Sequence, residues 1–170
     1  MQRRTLVFLL AGTAASASGC GFALRKAPEF AFSTLYSGLP ESSPLGVELR
    51  RSLNATRKVK VISDPQQLND AQVVLDVLSD QREKVVISLN SAGQVREFQL
   101  RLRFRFRLRT LGGKELIPET ELLLQREINF NESQVLAKEA EEALLYRDMQ
   151  SDIVQQLMRR LAAVTKDQMA

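Results

Sequence analysis

The chain contains no histidine, no tryptophan and a single cysteine, Cys20. Without histidine, the usual zinc and haem sites and His-dependent acid–base relays are excluded. One cysteine excludes a disulfide within the chain. Glycine (8) and proline (5) are scarce, which argues against a low-complexity or fibrous chain. No apolar run approaches the roughly 20 residues that a membrane-spanning helix needs. Neither a Ser-x-x-Lys motif nor a Gly-rich phosphate loop occurs in the 170 residues. The acidic cluster Glu139, Glu141 and Glu142 has helical spacing and reads as a solvated face rather than a metal site. The expectation is a protein without enzymatic activity, metal or cofactor.

What is present is the composition of a folded domain, 44% hydrophobic and 26% charged. The chain opens with Met1-Gln2-Arg3-Arg4, an apolar run from Leu6 to Ala15, and Ser16-Ala17-Ser18-Gly19 before Cys20. A basic start, a short apolar stretch and small residues before a cut site make an export signal. Ala17-Ser18-Gly19-Cys20 resembles a bacterial lipoprotein box, in which the cysteine becomes the acylated first residue of the mature chain. Residues 1–19 are then a leader and residues 20–170 a single domain. Acylation would resolve the unpaired thiol in an oxidising compartment and anchor the protein to a membrane through its acyl chains. Gly21, rather than Asp, follows the cysteine and favours the outer membrane. Removing Arg3 and Arg4 from the 24 basic residues leaves 22 against 20 acidic ones, so bulk charge says little about partners.

The body of the chain reads as α+β. Strands are expected at Phe30–Tyr36, Val59–Ile62, Gln72–Asn90, around Phe98–Leu108, and Leu116–Phe130. Ser43-Pro44 starts a short helix whose stripe is Leu45, Leu49 and Leu53. The polar stretch Ser79–Lys84 interrupts the third strand and suggests a bend or bulge. Pro118 suggests an edge or bulge in the fifth strand. A long helix runs from Glu132 to Val164, capped by Asn131 with Gln134. Its stripe is Ala140, Leu144, Met149, Ile153, Leu157, Leu161 and Val164, with a break near Arg147 or Ser151. The predicted architecture is a mostly antiparallel or mixed sheet of four to five strands, with two helices packed on one face.

The most regular segment alternates Phe98, Leu100, Leu102, Phe104, Phe106 and Leu108 with Arg101, Arg103, Arg105, Arg107 and Arg109. Successive arginines on such a strand stand roughly 6.8 Å apart on one face. If the apolar faces of neighbouring strands coincide, Asp76 falls opposite Arg107 or Arg109, and Asp80 opposite Arg103 or Arg105. Glu119 and Glu121 face Arg103 to Arg107 from the other side, while Arg82 and Lys84 add positive charge near Arg101. Two readings stay open: a solvated charge ladder, or a surface for phosphate or carboxylate groups, which guanidinium binds bidentately. Nucleic acid is not an expected partner, since the chain is exported and the stripe lacks interleaved aromatics.

Several segments together resemble the LPS-assembly lipoprotein family of Gram-negative outer membranes. They are Cys20-Gly21-Phe22-Ala23-Leu24-Arg25, Gly93-Gln94 through Phe98-Gln99, and the last helix with Leu136-Ala137-Lys138-Glu139, Met149, Asp152 and Gln156-Leu157-Met158-Arg159-Arg160-Leu161. The resemblance implies a lipid-anchored plug inside a large outer-membrane β-barrel partner, which it helps assemble, and binding of lipopolysaccharide on its way to the outer leaflet. Lys138 matches the family's lipopolysaccharide-associated lysine; Arg101, Arg103, Arg105 and Arg107 are the further candidates for lipopolysaccharide contact. The family's arginine at the hairpin tip is replaced here by Asn90-Ser91-Ala92-Gly93. Two readings from other classes compete: a structural envelope lipoprotein without a lipid ligand, and a hydrolase of envelope polymers using paired carboxylates.

Overall fold

Short apolar stripes at helical spacing and long apolar alternation at strand spacing build one sandwich. The computed structural model describes residues 28–131 and 134–169, so the leader, Cys20 and Glu132 lie outside the described residues. Five strands are β1 (Thr34–Ser37), β2 (Lys60–Ile62), β3 (Val73–Leu89), β4 (Val95–Thr110) and β5 (Glu115–Asn129). The helices are α1 (Pro44–Ala55), α2 (Val135–Ala162) and a last turn α3 (Lys166–Met169), with a 3-10 turn at Pro65–Asp70. Sheet order is β2-β1-β3-β4-β5, β1 running parallel to both its neighbours and the other pairs antiparallel. The mixed sheet and its helices match the expected fold class.

Local chemistry sets the ends of the elements. The Ser43 hydroxyl accepts from the Gly46 N–H and Pro44 occupies the first turn of α1, as expected from the sequence. At the β3–β4 hairpin, Asn90 Oδ1 accepts from the Ala92 and Gln94 amides, both at 2.9 Å. Gly93 takes φ +79°, a left-handed conformation that a side chain would resist. Where β1 leaves the sheet, the Gly38 N–H donates to the Leu75 carbonyl, and a Cβ at Gly38 would lie 2.8 Å from that oxygen. Only glycine fits that approach.

The core lies between the sheet and the two longer helices. Leu49 and Leu53 of α1 and Met149, Ile153, Leu157 and Leu161 of α2 are fully buried against Leu75, Leu100, Phe104, Phe106 and Leu108. Each such side chain contributes about 1.5–3 kcal/mol on burial. Phe104 and Phe106, two residues apart on one face of β4, stack at 5.6 Å between ring centroids.

Only the half of this sandwich near α1 is five strands wide. β1 pairs with β3 at Val73–Leu75 alone, so beyond that point the sheet is the ribbon β3–β4–β5, covered by the first half of α2. Four expectations are corrected here. The first strand begins at Thr34, with Phe30 and Phe32 packing on the core ahead of it. The long helix begins at Val135 with no side-chain cap from Gln134, and runs unbroken for 28 residues, about 42 Å at 1.5 Å each. It needs no break, because its buried positions from Tyr146 to Leu161 keep one face to the sheet. Ala140 and Leu144 are not part of that face: both are exposed, Leu144 by 55%, and Tyr146 takes the inward position.

Candidate functional site

The alternation in β4 puts all five arginines on the sheet face away from the helices. Asp76 pairs with Arg107 in register and its carboxylate accepts from Arg107 Nε and Arg109 Nε, each at 2.8 Å. Burial alone would push the Asp76 carboxyl up, but the hydrogen bonds and charges of Arg109 and Arg107 outweigh it and hold it below the ordinary range. Arg105 hydrogen-bonds Glu119 through Nε at 3.0 Å and through Nη2. Arg103 stands between Glu121 at 3.6 Å and Glu83 at 4.0 Å. Among the described residues, Arg101 alone of the five has no carboxylate partner; its Nε donates to Gln99 Oε1 at 2.7 Å. Glu119 and Glu121 therefore face the arginines as the sequence predicts, and the face is close to a neutral ladder.

Glu83 joins that ladder because β3 carries a bulge. Val77 faces Phe106, but the next pair is Ser79 with Arg105, leaving Leu78 as the extra residue. The bulge falls at Leu78, immediately before the polar stretch Ser79–Lys84 in which it was expected, and its consequence differs from the sequence expectation. After Leu78 the even residues turn inward: Asp80 pairs with Phe104 rather than an arginine, Arg82 with Leu102 and Lys84 with Leu100. A one-residue slip exchanges the two faces of a strand. Arg82 and Lys84 thus stand on the helix side of the sheet, away from Arg101, and Val85 falls on the arginine face opposite Gln99.

On the helix side these two cations meet α2. Arg82 Nη2 donates to Gln150 Oε1 at 3.0 Å, and Gln150 Nε2 donates to Glu48 Oε2 of α1 at 3.1 Å. The Arg82 guanidinium also lies 5.3 Å from the Tyr146 ring centroid. The Tyr146 hydroxyl donates to the Glu83 carbonyl at 2.7 Å, satisfying a backbone acceptor beyond the reach of β1. Burial, with Glu142 and Glu83 nearby and against the charge of Arg82, pushes the Tyr146 phenol up.

Lys84 contributes to a cleft at the hairpin end. Its Nζ is 2.6 Å from Glu142 Oε2 and 4.3 Å from the Phe98 ring centroid. Phe98 and Phe130 pack edge to face at 5.2 Å. These groups, with Ile128, Val135 and Glu139, line a cleft of about 200 Å³ whose other cation is Lys138. Lys138 Nζ is held 2.8 Å from Glu141 Oε2. The sequence-predicted set is therefore divided: Arg101, Arg103, Arg105 and Arg107 share the outward face, while Lys138 lies across the sheet beside Lys84. Sequence reasoning missed Lys84 as its companion. The only signal was the polar interruption of β3, which marks a bulge without saying which residues it turns inward.

Known proteins share this arrangement of elements. Residues 32–161 match the family model described as LptE, lipopolysaccharide-assembly. The chain is 29% identical over 168 residues to the LPS-assembly lipoprotein LptE of Yersinia enterocolitica, a match spanning 96% of this chain and 78% of that protein. It is 26% identical over 172 residues to the LPS-assembly lipoprotein LptE of Pectobacterium atrosepticum, spanning 99% and 90% respectively. The solution NMR structure of lipoprotein B from Nitrosomonas europaea matches with a TM-score of 0.70 at 35% identity, covering 84% of this chain and 91% of that one. With the family pattern running from the approach to β1 to the last turns of α2, the chain belongs to the LptE lipopolysaccharide-assembly family.

Proposed function

We propose that this chain is a non-enzymatic outer-membrane lipoprotein, acylated at Cys20, that seats in a large β-barrel partner, helps it assemble and binds lipopolysaccharide during its passage to the outer leaflet. The observation that carries the reading is the family match over residues 32–161. Among the described residues no helix is long and apolar enough to cross a membrane, which agrees with a lipid anchor. The sheet face away from the helices supports a seat in a polar lumen, since its arginines are largely answered by carboxylates of the same chain.

Lipopolysaccharide offers phosphate groups beside apolar chains, and the cleft between the hairpin and α2 offers cations beside apolar walls. Lys138 and Lys84 are the primary contacts in this reading, each able to leave its glutamate for a phosphate. Arg101 is the next candidate because it lacks a carboxylate partner. Arg103, Arg105 and Arg107 would have to give up ion pairs and contribute less.

The test is lipopolysaccharide binding by residues 20–170 carrying Cys20→Ser, at low and moderate salt. The double variant Lys84→Ala/Lys138→Ala, which removes two charge-assisted contacts, is expected to weaken binding about tenfold or more, since the loss of either one is enough for a tenfold change. Arg105→Ala is expected to change it little. Absence of binding by the parent protein would refute the lipid-binding role, and unchanged affinity in the double variant would refute the site.

A further inference from the structure

Most arginines of β4 are answered by carboxylates, but a second set of cations is not. Among the described residues, Arg57, Lys60, Lys114, Arg159, Arg160 and Lys166 have no carboxylate within ion-pair distance, and all but Arg160 are exposed. They come from separate parts of the chain, and the fold gathers them at one end. β2 begins at Lys60, paired with Thr34 at the start of β1. β3 begins opposite Thr110, and Lys114 lies in the turn that follows. Arg160 of α2 lines a groove with Leu116 and Ile117 at the start of β5. Pro28, the first described residue, lines another with Ser52 of α1 and Met158, Arg159 and Ala162 of α2. Glu29, Asp70, Glu115 and Asp167 are the acidic residues there, and Glu29 is held by Lys58 at 3.6 Å. The dipole of α2 accounts for Arg159 and Arg160 in its last turn, but not for the three lysines.

The place where the chain enters says what this end faces. Eight residues lead from Cys20 to Pro28, a reach of about 28 Å at full extension. An acyl anchor at Cys20 therefore keeps this end close to the bilayer, and Arg25 and Lys26 between them are basic as well. The hairpin cleft is remote, since Lys138 and Arg159 stand about 32 Å apart along α2. There, Lys84 and Lys138 are each held by a glutamate. Cations without partners are drawn to an anionic surface within about 10 Å, whereas a second copy would present the same sign of charge. We propose that this basic end is a docking surface for anionic phospholipid headgroups, on which the domain rests against the leaflet that holds its anchor. This rests on the lipid anchor of the proposed function and adds to it the orientation of the domain on the membrane.

The experiment uses residues 20–170 carrying Cys20→Ser, so that no acyl chain masks the contact. The probes are vesicles of phosphatidylethanolamine with or without phosphatidylglycerol, at low and moderate salt. Sedimentation with the anionic vesicles is expected, weakening as salt rises and absent with the neutral ones. Lys60→Glu/Lys114→Glu/Lys166→Glu should lower that binding about tenfold or more, while its melting temperature and its lipopolysaccharide binding stay close to those of the parent. Lys84→Ala/Lys138→Ala should leave vesicle binding unchanged. Failure of the parent to bind, equal binding to neutral vesicles, or undiminished binding by the triple variant overturns the inference. An equal loss of lipopolysaccharide binding in that variant also overturns it, by assigning these cations to the other lipid. Mass spectrometry of the full-length protein from membranes separates the two layers of the argument. An acylated Cys20 on a domain that ignores anionic vesicles overturns this inference alone; an unmodified Cys20 removes the anchor and the inference together.

Discussion

The two halves of the sandwich differ in how they are held. Near α1, five strands and both helices enclose side chains such as Leu35, Leu49, Phe106 and Leu157, all fully buried. Toward the hairpin, three strands remain, and the polar contacts between sheet and helix include Arg82 with Gln150, Tyr146 with the Glu83 carbonyl, Lys84 with Glu142 and Arg126 with Asp152. The division falls at the Leu78 bulge. Before it, β3 turns Val73, Leu75 and Val77 inward; after it, Asp80, Arg82 and Lys84. One extra residue makes β3's share of the inward layer polar while Leu100, Leu102 and Ile128 on the neighbouring strands stay buried, and this half is the one that carries exposed Val86, Ile87, Leu89 and Leu136. Stability is concentrated in one half, and the candidate lipopolysaccharide cleft lies in the other.

Substitutions can break or sharpen that contrast. The largest effect is expected from Phe106→Ala, on the α1 side of the bulge opposite Val77, which should cost about 3–5 kcal/mol in denaturant unfolding because the surrounding core only partly collapses into the cavity. Val86→Ala, in the hairpin half and 45% exposed, should cost far less; equal losses would remove the distinction between the halves. Tyr146→Phe is expected next, at about 1 kcal/mol, since it strips a hydrogen bond from the Glu83 carbonyl on an unpaired strand edge.

Asp76 and Asp80 offer a finer test, being four residues apart on opposite sides of the bulge. Asp76 is held below its ordinary value of 3.8, so its contribution is complete above that pH and is lost as pH falls through the lower folded value. Asp76→Asn should therefore cost about 1 kcal/mol at neutral pH, its partners being partly solvated, and cost progressively less in acid below pH 3.8. Asp80 is pushed up by burial, against the charge of Arg82. Its charged form is penalised at neutral pH, and the penalty is relieved as pH falls through the raised value. Asp80→Asn is expected to stabilise the protein slightly at pH 7, with the gain vanishing in acid. Thermal melts of both variants between pH 3 and pH 7 should diverge in opposite directions; parallel curves would mean that the bulge does not separate their environments.

Much of the fold was legible from local pattern. The unbroken alternation of β4 identifies its two faces, Ser43-Pro44 the start of α1, and Asn90–Gly93 the hairpin turn. The pairing of Asp76, Glu119 and Glu121 with the arginines followed from parity alone. The candidate site was less legible. Lys138 was reached through family resemblance, whereas Lys84 was read onto the wrong face, because parity cannot be carried through a bulge whose position is unknown. Leu144 was assigned to the core because its spacing from Met149 is compatible with two adjacent faces of a helix.

By itself the sequence determined which segments are strands and helices, since that depends on side-chain period and capping groups within a few residues of each other. It also determined that one sheet face is charged, because every second side chain of a strand points the same way. Only the tertiary structure decided where β3 slips, since the bulge is set by competition between two whole strands for register. With that slip it decided that Lys84 meets Lys138 across a cleft, and that the first half of α2 turns leucines toward solvent. Such outcomes depend on which surfaces remain once β1, β2 and α1 have covered one half of the sheet, and no local window of residues contains that information.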